Sequence, residues 1–255
     1  MITLILTIHN QEEIIKVVLD KAYTNAYAIE KMIILFDGCT DRSKEIVEKY
    51  LHMIKDMEVE TYELPDVFET KANNFGLKKV TTPYAILLQD DCVISEPEYD
   101  VKLLEAIRKY KDVFAVSGRN SHNLMPTPDG LLNYTLVAGA GTRLNNPNKL
   151  YIRQVINRGP LILDMEVVRR LNYLDEEFAP LFGDDQDLCL RAFQLGYVCG
   201  CRPIQFLSKP EWGGTRKGDT SWVGEAIMKN MKIIVDRHFK PDREIHFFLN
   251  EERDL

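Results

Sequence analysis

Hydrophobic positions in the first half of the chain fall into short unbroken blocks, alternating with stretches of helical spacing. Ile2–Ile8 is almost wholly Ile, Leu and Thr, the composition of a strand buried on both faces. Ile14, Val18 and Ala22 then recur at helical intervals, flanked by Ile15 and Leu19, and make one apolar stripe. Asn10 is placed to cap that helix, with Glu13 closing a capping box. Met32–Phe36 predicts a second buried strand, and a helix is expected from about Arg42 with Ile46, Tyr50 and Ile54 on one face. Val59–Tyr62 is a weaker strand. Thr70–Lys79 is spaced as a helix, yet Asn73, Asn74 and Gly76 give it poor intrinsic propensity, so it needs tertiary support. Tyr84–Leu88 and Val113–Ser117 are further strands, and Pro97 opens a helix between them with Val101, Leu104 and Ile107 inward.

The second half is less regular. Asn120–Asn133, rich in Asn, Pro and Gly, is expected to be a loop, and Tyr134–Arg143 a strand crossing back, with a turn over Asn145–Lys149. Asp164 caps a short helix through Leu171. Leu188, Ala192 and Leu195 mark another helix within Gly183–Gln194, ended by Gly196. Val198–Phe206 is the last expected strand. The Gly-rich stretch Trp212–Thr220 is expected to be mobile, and a helix over Gly224–His238 precedes a polar tail. Repeated strand–helix–strand units imply an α/β fold with a largely parallel sheet and helices on both faces. We expect a single domain over 1–255: a first half to 118, a second half over 119–223, and a C-terminal helix and tail over 224–255.

Composition changes this picture only at its margins. With 255 residues, 45% hydrophobic and 28% charged, the chain can bury a sizeable core. A formal net charge of −7 repels a phosphate backbone, so nucleic acid is not the expected partner. The scattered cysteines Cys39, Cys92, Cys189, Cys199 and Cys201 form neither a disulfide framework nor a zinc knuckle, and are expected to be buried thiols in a reducing compartment. The opening apolar run has no basic leader, and no stretch reaches the roughly 20 apolar residues that span a bilayer. A cytoplasmic location is expected, with peripheral membrane association at most; oligomeric state is not written in the pattern.

Three acidic groups stand where ligands gather in such folds, beyond the carboxyl ends of the strands. Asp37 and Asp41 follow the second strand. A carboxylate at Asp37 can accept from a base or a ribose hydroxyl, or simply form the turn, and Asp41 can cap the next helix. Gln89-Asp90-Asp91 ends the Tyr84–Leu88 strand. Adjacent carboxylates repel, and a divalent cation offsets that cost. Side chains alternate along a strand, so Gln89 and Asp91 share a side and Asp91 is the candidate metal ligand. Asp184-Asp185-Gln186-Asp187 opens a helix, where acids are favourable in themselves, but three carboxylates exceed what capping needs and one can serve as a general base.

The first strand is followed by His9-Asn10-Gln11-Glu12, without the glycines of a dinucleotide fingerprint. The chain also has neither a P-loop nor a G-x-S-x-G elbow. The motifs instead resemble the family 2 glycosyltransferases of GT-A fold, over about residues 1–206. Ile2–Asn10 with Glu12-Glu13 is similar to the family's first strand and Asn-x-Glu-Glu turn. Phe36-Asp37-Gly38-Cys39-Thr40-Asp41 resembles Asp-Asp-Gly-Ser-x-Asp, with Phe36 and Cys39 as departures. Ala72-Asn73-Asn74-Phe75-Gly76 resembles Ala-Arg-Asn-x-Gly, with Lys71 placed to supply the basic contact that Asn73 lacks. Leu88-Gln89-Asp90-Asp91 resembles the strand ending in Asp-x-Asp, with Gln89 at its first acid. Gly183–Arg191, then Gly196-Tyr197, resembles Glu-Asp-x-Asp-Leu-x-x-Arg, and Leu174–Phe178 is also in the family's style.

The resemblance implies a nucleoside diphosphate sugar as donor, UDP-sugar favoured, with Mn2+ or Mg2+ at Asp91. It places His9, Asn10, Glu12, Asp37, Lys71, Asn74, Gln89 and Asp90 around the donor, and Asp185 at the catalytic base of an inverting transfer. The implied acceptor is a glycan, a lipid-linked intermediate or a protein. Arg216 and Lys217 are candidate phosphate contacts. The family's usual metal-binding His near the last strand is missing from Ile204–Glu211, leaving His238 and His246 as substitutes. Trp212-Gly213-Gly214 keeps a retaining transferase as an alternative, and Gln89 keeps a sugar-nucleotide-binding homologue without catalysis as another. A sugar-1-phosphate nucleotidyltransferase would open with a Gly-rich basic loop, which this chain lacks.

Overall fold

The computed structural model describes residues 1–213, 220–239 and 248–255. The first half alternates β1 (Ile2–Ile8), α1 (Ile15–Thr24), β2 (Ile29–Asp37), α2 (Ser43–Leu51), β3 (Glu58–Leu64), α3 (Phe68–Lys79) and β4 (Tyr84–Gln89). A two-residue β5 (Val93–Ile94), α4 (Tyr99–Lys109) and β6 (Val113–Ser117) follow. Next come β7 (Asn120–Pro126), β8 (Leu132–Gly139), β9 (Lys149–Arg153), β10 (Val155–Asn157), β11 (Leu161–Asp164) and α5 (Met165–Arg170). The described chain closes with α6 (Asp184–Phe193), β12 (Val198–Cys201), β13 (Phe206–Leu207), α7 (Ser221–His238) and β14 (Glu251–Asp254).

The central sheet has nine strands in the order β14-β9-β12-β6-β11-β4-β1-β2-β3. The block β4-β1-β2-β3 is parallel, as is β12 beside β6, while β11 is antiparallel between β4 and β6 and β9 and β14 extend the edge antiparallel. Side-chain alternation explains the unbroken apolar runs. Leu4, Leu6 and Ile8 face one apolar layer, with α1, α2 and α4, whereas Ile5 faces the other, with α3, α5 and α6. The register decides where chemistry collects. Ile8 lies opposite Phe36 and Thr7 opposite Gln89, so the residues leaving β1, β2 and β4 emerge at one level.

The second half departs from the sequence reading. Asn120–Asn133 is not a loop: β7 pairs antiparallel with β8 and β10 in a separate three-stranded sheet. Its buried positions include Ser121, His122 and Asn123, so hydrophobic alternation is absent. The polar tail also forms a strand, with Glu251–Asp254 pairing with β9 at the sheet edge. Asp164 caps α5 as expected, accepting from Glu166 N at 2.9 Å. Asn10 does not cap α1. That helix begins at Ile15 without a side-chain cap, and Asn10 Oδ1 instead accepts from Thr40 N at 2.8 Å and Asp41 N at 3.2 Å. The five cysteines are free, four of them buried. Among the described residues no helix is long and apolar enough to cross a membrane.

In α4 the inward residues are Leu103, Ala106 and Ile107, with Tyr99 and Asp100, while Val101 and Leu104 are half-buried. Asp100 is fully buried. Its carboxylate accepts from the backbone of Tyr27 at 3.0 Å, Ala28 at 2.6 Å and Ile29 at 2.9 Å, fixing the entry to β2. Asp100→Ala strands those donors away from water, and we expect a loss of about 2–3 kcal/mol in urea unfolding. A loss under 0.5 kcal/mol would show that the backbone finds other partners.

Candidate active site

A cleft of about 480 Å³ opens at the carboxyl ends of β1, β2 and β4 and reaches the N-terminus of α6. Six of the ten residues assigned from sequence to donor, metal or base line it: His9, Asp37, Gln89, Asp90, Asp91 and Asp185. The strand register brings the first five together, and the turn before α6 delivers the last. Gly183 makes that turn at φ +94°, and a Cβ there would stand 3.0 Å from both Ile234 and Phe178. The left-handed φ favours glycine, and a side chain would also have to push these two neighbours aside.

Asp90 and Asp91 lie in the turn after β4, and both line the cleft. Asp90 Oδ2 accepts from His9 N at 2.8 Å. Burial pushes its carboxyl up to about 7; the His9 bond holds it down in part, and the charges of Asp91 and Glu69 raise it further. Asp91 Oδ1 is buried with no hydrogen-bond partner among the described residues, and Oδ2 lies 3.5 Å from Ser208 Oγ. An orphaned carboxylate oxygen beside a second acid is a donor set suited to a hard divalent cation. Gly213 lies against this carboxylate: a Cβ would stand 2.3 Å from Asp91 Oδ2. Gln11 Nε2 donates to Trp212 O at 2.8 Å and holds that segment over the acid pair.

Of the acids opening α6, Asp184 and Asp187 are fully buried and Asp185 is 9% exposed, so Asp185 alone of the three presents accessible surface beside the cleft. Its Oδ1 accepts from Gln186 N at 2.9 Å. Burial pushes the Asp185 carboxyl above the usual range; Arg158 opposes this, and Asp184 and Glu69 add to it. A base poised closer to neutrality results. Arg158, itself buried, organises the group: it pairs with Asp184, with Glu69 at 3.5 Å and with Asp185 at 3.7 Å. Asp187 turns away from the cleft to Arg191 at 2.6 Å and His238 at 2.9 Å.

His9, Asp37 and Asp66 offer one ligand atom each within 4.8 Å of one another, a second set of cation-ligand type. In this geometry His9 is engaged on both ring nitrogens. Nδ1–H donates to Asp37 O at 2.6 Å, which leaves Nε2 to accept from Asn10 Nδ2 at 3.1 Å. Asp37 Oδ1 accepts from Val67 N at 2.6 Å. The Asp91 oxygen is therefore the readier ligand.

The remaining candidates are not brought to the cleft. Asn10 braces the loop after β2. Glu12 pairs with Arg42 at 3.1 Å. Lys71 is exposed outside the lining. Asn74 is buried and bonds to Leu174 and Glu176, where it supports the expected unfavourable helix α3. His238 is committed to Asp187, which corrects its candidacy as a metal ligand. Asp41 does not take the N-cap position of α2, which Arg42 holds, but its Oδ1 accepts from Ser43 N at 2.9 Å. Gly214, Thr215, Arg216, Lys217 and His246 lie outside the described residues. Four further lining residues carry no sequence signal: Glu69, Arg119, Tyr134 and Arg158. Their partners are distant in the chain, as with Arg158 and Glu69. Tyr134 exposes 41% of its surface, packs against the His122 ring at 4.2 Å and accepts from Gln186 Nε2 at 3.0 Å.

The mixed sheet, its flanking helices and the acid-lined cleft define a GT-A-like nucleotide-sugar transferase fold. The chain belongs to glycosyl transferase family 2, whose family model matches residues 3–164, more than half of it. GalNAc-T7, solved with UDP, GalNAc and Mn2+, superposes with a TM-score of 0.70 at 13% identity, over 92% of this chain and 47% of that one. The mannosyltransferase PcManGT of Pyrobaculum calidifontis, solved with GDP-Man and Mn2+, gives 0.58 at 16% identity, over 79% and 54%. S. aureus TarS 1-349 with UDP-GlcNAc gives 0.56 at 14% identity, over 86% and 59%. At these identities the likeness is one of fold, and the chain spans about half the length of these proteins. No curated protein sequence matches it.

Proposed function

We propose that the chain transfers a glycosyl group from a nucleoside diphosphate sugar to an acceptor hydroxyl, with inversion at the anomeric carbon. The observation that carries this reading is one cleft holding two different carboxylates: Asp91, with an orphaned oxygen, and Asp185, reachable and pushed toward neutrality. Asp91 is the residue that would hold Mn2+ or Mg2+, and the cation would supply charge neutralisation at the leaving diphosphate. His9 and Asp37 stand at the nucleoside end, at the tips of β1 and β2. Asp185 takes the acceptor proton as the acceptor oxygen attacks, and Tyr134, tethered to the neighbouring Gln186, faces the acceptor. Arg158 keeps Asp185 in place without taking its proton. UDP is the donor nucleotide we favour because GalNAc-T7 and TarS are solved with uridine nucleotides; the GDP-Man of PcManGT makes GDP the alternative.

The test is titration of UDP- and GDP-sugars with and without Mn2+, on the native chain and on Asp91→Ala. Metal is expected to tighten donor binding at least tenfold, and Asp91→Ala to abolish that gain, since the cation would need a protein carboxylate to hold it. Binding that ignores both metal and the substitution would remove Asp91 from the reading. No nucleotide-sugar binding at all would overturn the reading itself.

A further inference from the structure

The cleft contains two guanidinium groups of opposite status. Arg158 has its charge matched by three carboxylates, although its Nη1 makes no hydrogen bond. Arg119, which follows β6, has no carboxylate partner among the described residues. Its Nε reaches Gly159 O only at 3.5 Å, its plane lies over the Phe206 ring at 5.0 Å, and its Nη2 is buried with no hydrogen-bond partner. A guanidinium cannot shed its charge by deprotonation, so a buried unpaired N–H remains a cost until an acceptor arrives.

The cleft that Arg119 lines provides a place for one. Gly159, at φ +97°, presents a bare α-carbon between Arg119 and Gln89. A Cβ there would stand 2.8 Å from Gln89 Oε1 and 3.4 Å from Arg119 Nη2, so both side chains pack closely on the Gly159 backbone. Gln89 is neutral and donates to Glu69 at 3.1 Å, so it leaves the guanidinium charge uncompensated. Phe206 covers one face of the guanidinium and keeps its in-plane N–H edge as the direction for a ligand.

We infer that Arg119, in the cleft lining, is a binding site for an anionic oxygen of the donor, on its diphosphate or on a sugar carboxylate. The inference rests on the donor reading above but uses neither Asp91 nor Asp185. It makes Arg119 the cleft's uncommitted cation among the described residues, set in an otherwise acidic lining that would repel such a group.

The experiment compares calorimetric affinities of UDP with uridine, GDP with guanosine, and UDP-glucuronic acid with UDP-glucose, all with Mn2+. It uses the native chain, Arg119→Gln and Arg119→Lys, with melting temperatures recorded to show that each variant is folded. One charge-assisted contact predicts about a 10–100-fold loss in Arg119→Gln, with part of it restored in Arg119→Lys. Losses for the nucleoside diphosphates, with the nucleosides unchanged, assign the diphosphate. A loss confined to UDP-glucuronic acid, together with native preference for it over UDP-glucose, assigns the sugar carboxylate. Unchanged affinities in a folded Arg119→Gln overturn the inference and leave the donor reading standing. Equal losses for nucleosides and nucleotides also overturn it, since they show that Arg119 only shapes the cleft. A native chain that binds none of the six probes overturns both.

Discussion

Asp185→Asn is expected to lower kcat for sugar transfer by about 10²–10⁴-fold, the span of one general base, while donor affinity stays within threefold. Asparagine keeps the shape and can still accept from Gln186 N, so the loss isolates proton transfer from architecture. The pH profile carries the second half of the expectation. Burial raises the Asp185 carboxyl and Arg158 restrains it, so activity should climb with pH through a limb lying above the ordinary carboxylate range. The stability consequence has the opposite sense. A carboxyl raised on folding binds its proton more tightly in the native chain, so its contribution fades as pH rises from the ordinary value toward the raised one. Asp185→Asn should therefore unfold no more easily than the native chain at neutral pH. Transfer rates unchanged by the substitution would remove Asp185 as the base, and a retaining product would reject inversion.

The first half of the fold was legible because burial there is simple. β1, β2, β4 and β6 are covered on both faces and read as apolar blocks, and the acids that end β2 and β4 stand out against them. The acid cluster opening α6 was legible because three acids in four residues exceed helix capping, while only the family resemblance singled out Asp185; the structure sorts them, Asp184 to Arg158, Asp187 to Arg191 and His238, and Asp185 to the cleft. The β7–β8 hairpin was hidden because its interior uses Ser121, His122 and Asn123, satisfied or packed through tertiary contacts that no period reveals. β14 was hidden because a charged edge strand looks like a tail; Arg253 pairs with Asp112 at 2.7 Å, across most of the chain. Arg119 and Arg158 were invisible for a related reason. An isolated arginine has no pattern, and its meaning depends on whether carboxylates far away in sequence reach it.

Those distant pairings give the second large effect, at Asp187. We expect Asp187→Ala to cost about 3–5 kcal/mol, the range for deleting one member of a buried ion group. Asp187 is fully buried among Arg191 at 2.6 Å, His238 at 2.9 Å and Arg237 at 3.4 Å. Arg191 also donates to Leu171 O at 2.6 Å and Tyr173 O at 2.9 Å, and Arg237 pairs with Asp175 at 2.7 Å. One carboxylate thus joins α6, α7 and the segment between α5 and α6, and its loss leaves the Arg191 and Arg237 guanidinium groups with no anion between them. Burial alone would raise Asp187, but the His238 bond and Arg191 outweigh it and hold the carboxyl below the usual range. The stabilisation is therefore complete above the unfolded-state value and is lost as pH falls through the depressed one, so the gap between native and variant should narrow in acid. Urea unfolding at neutral and acidic pH measures both features. A loss below 1 kcal/mol, or a gap that widens in acid, would show that Arg191, Arg237 and His238 find water instead and that α6 stands without this anchor.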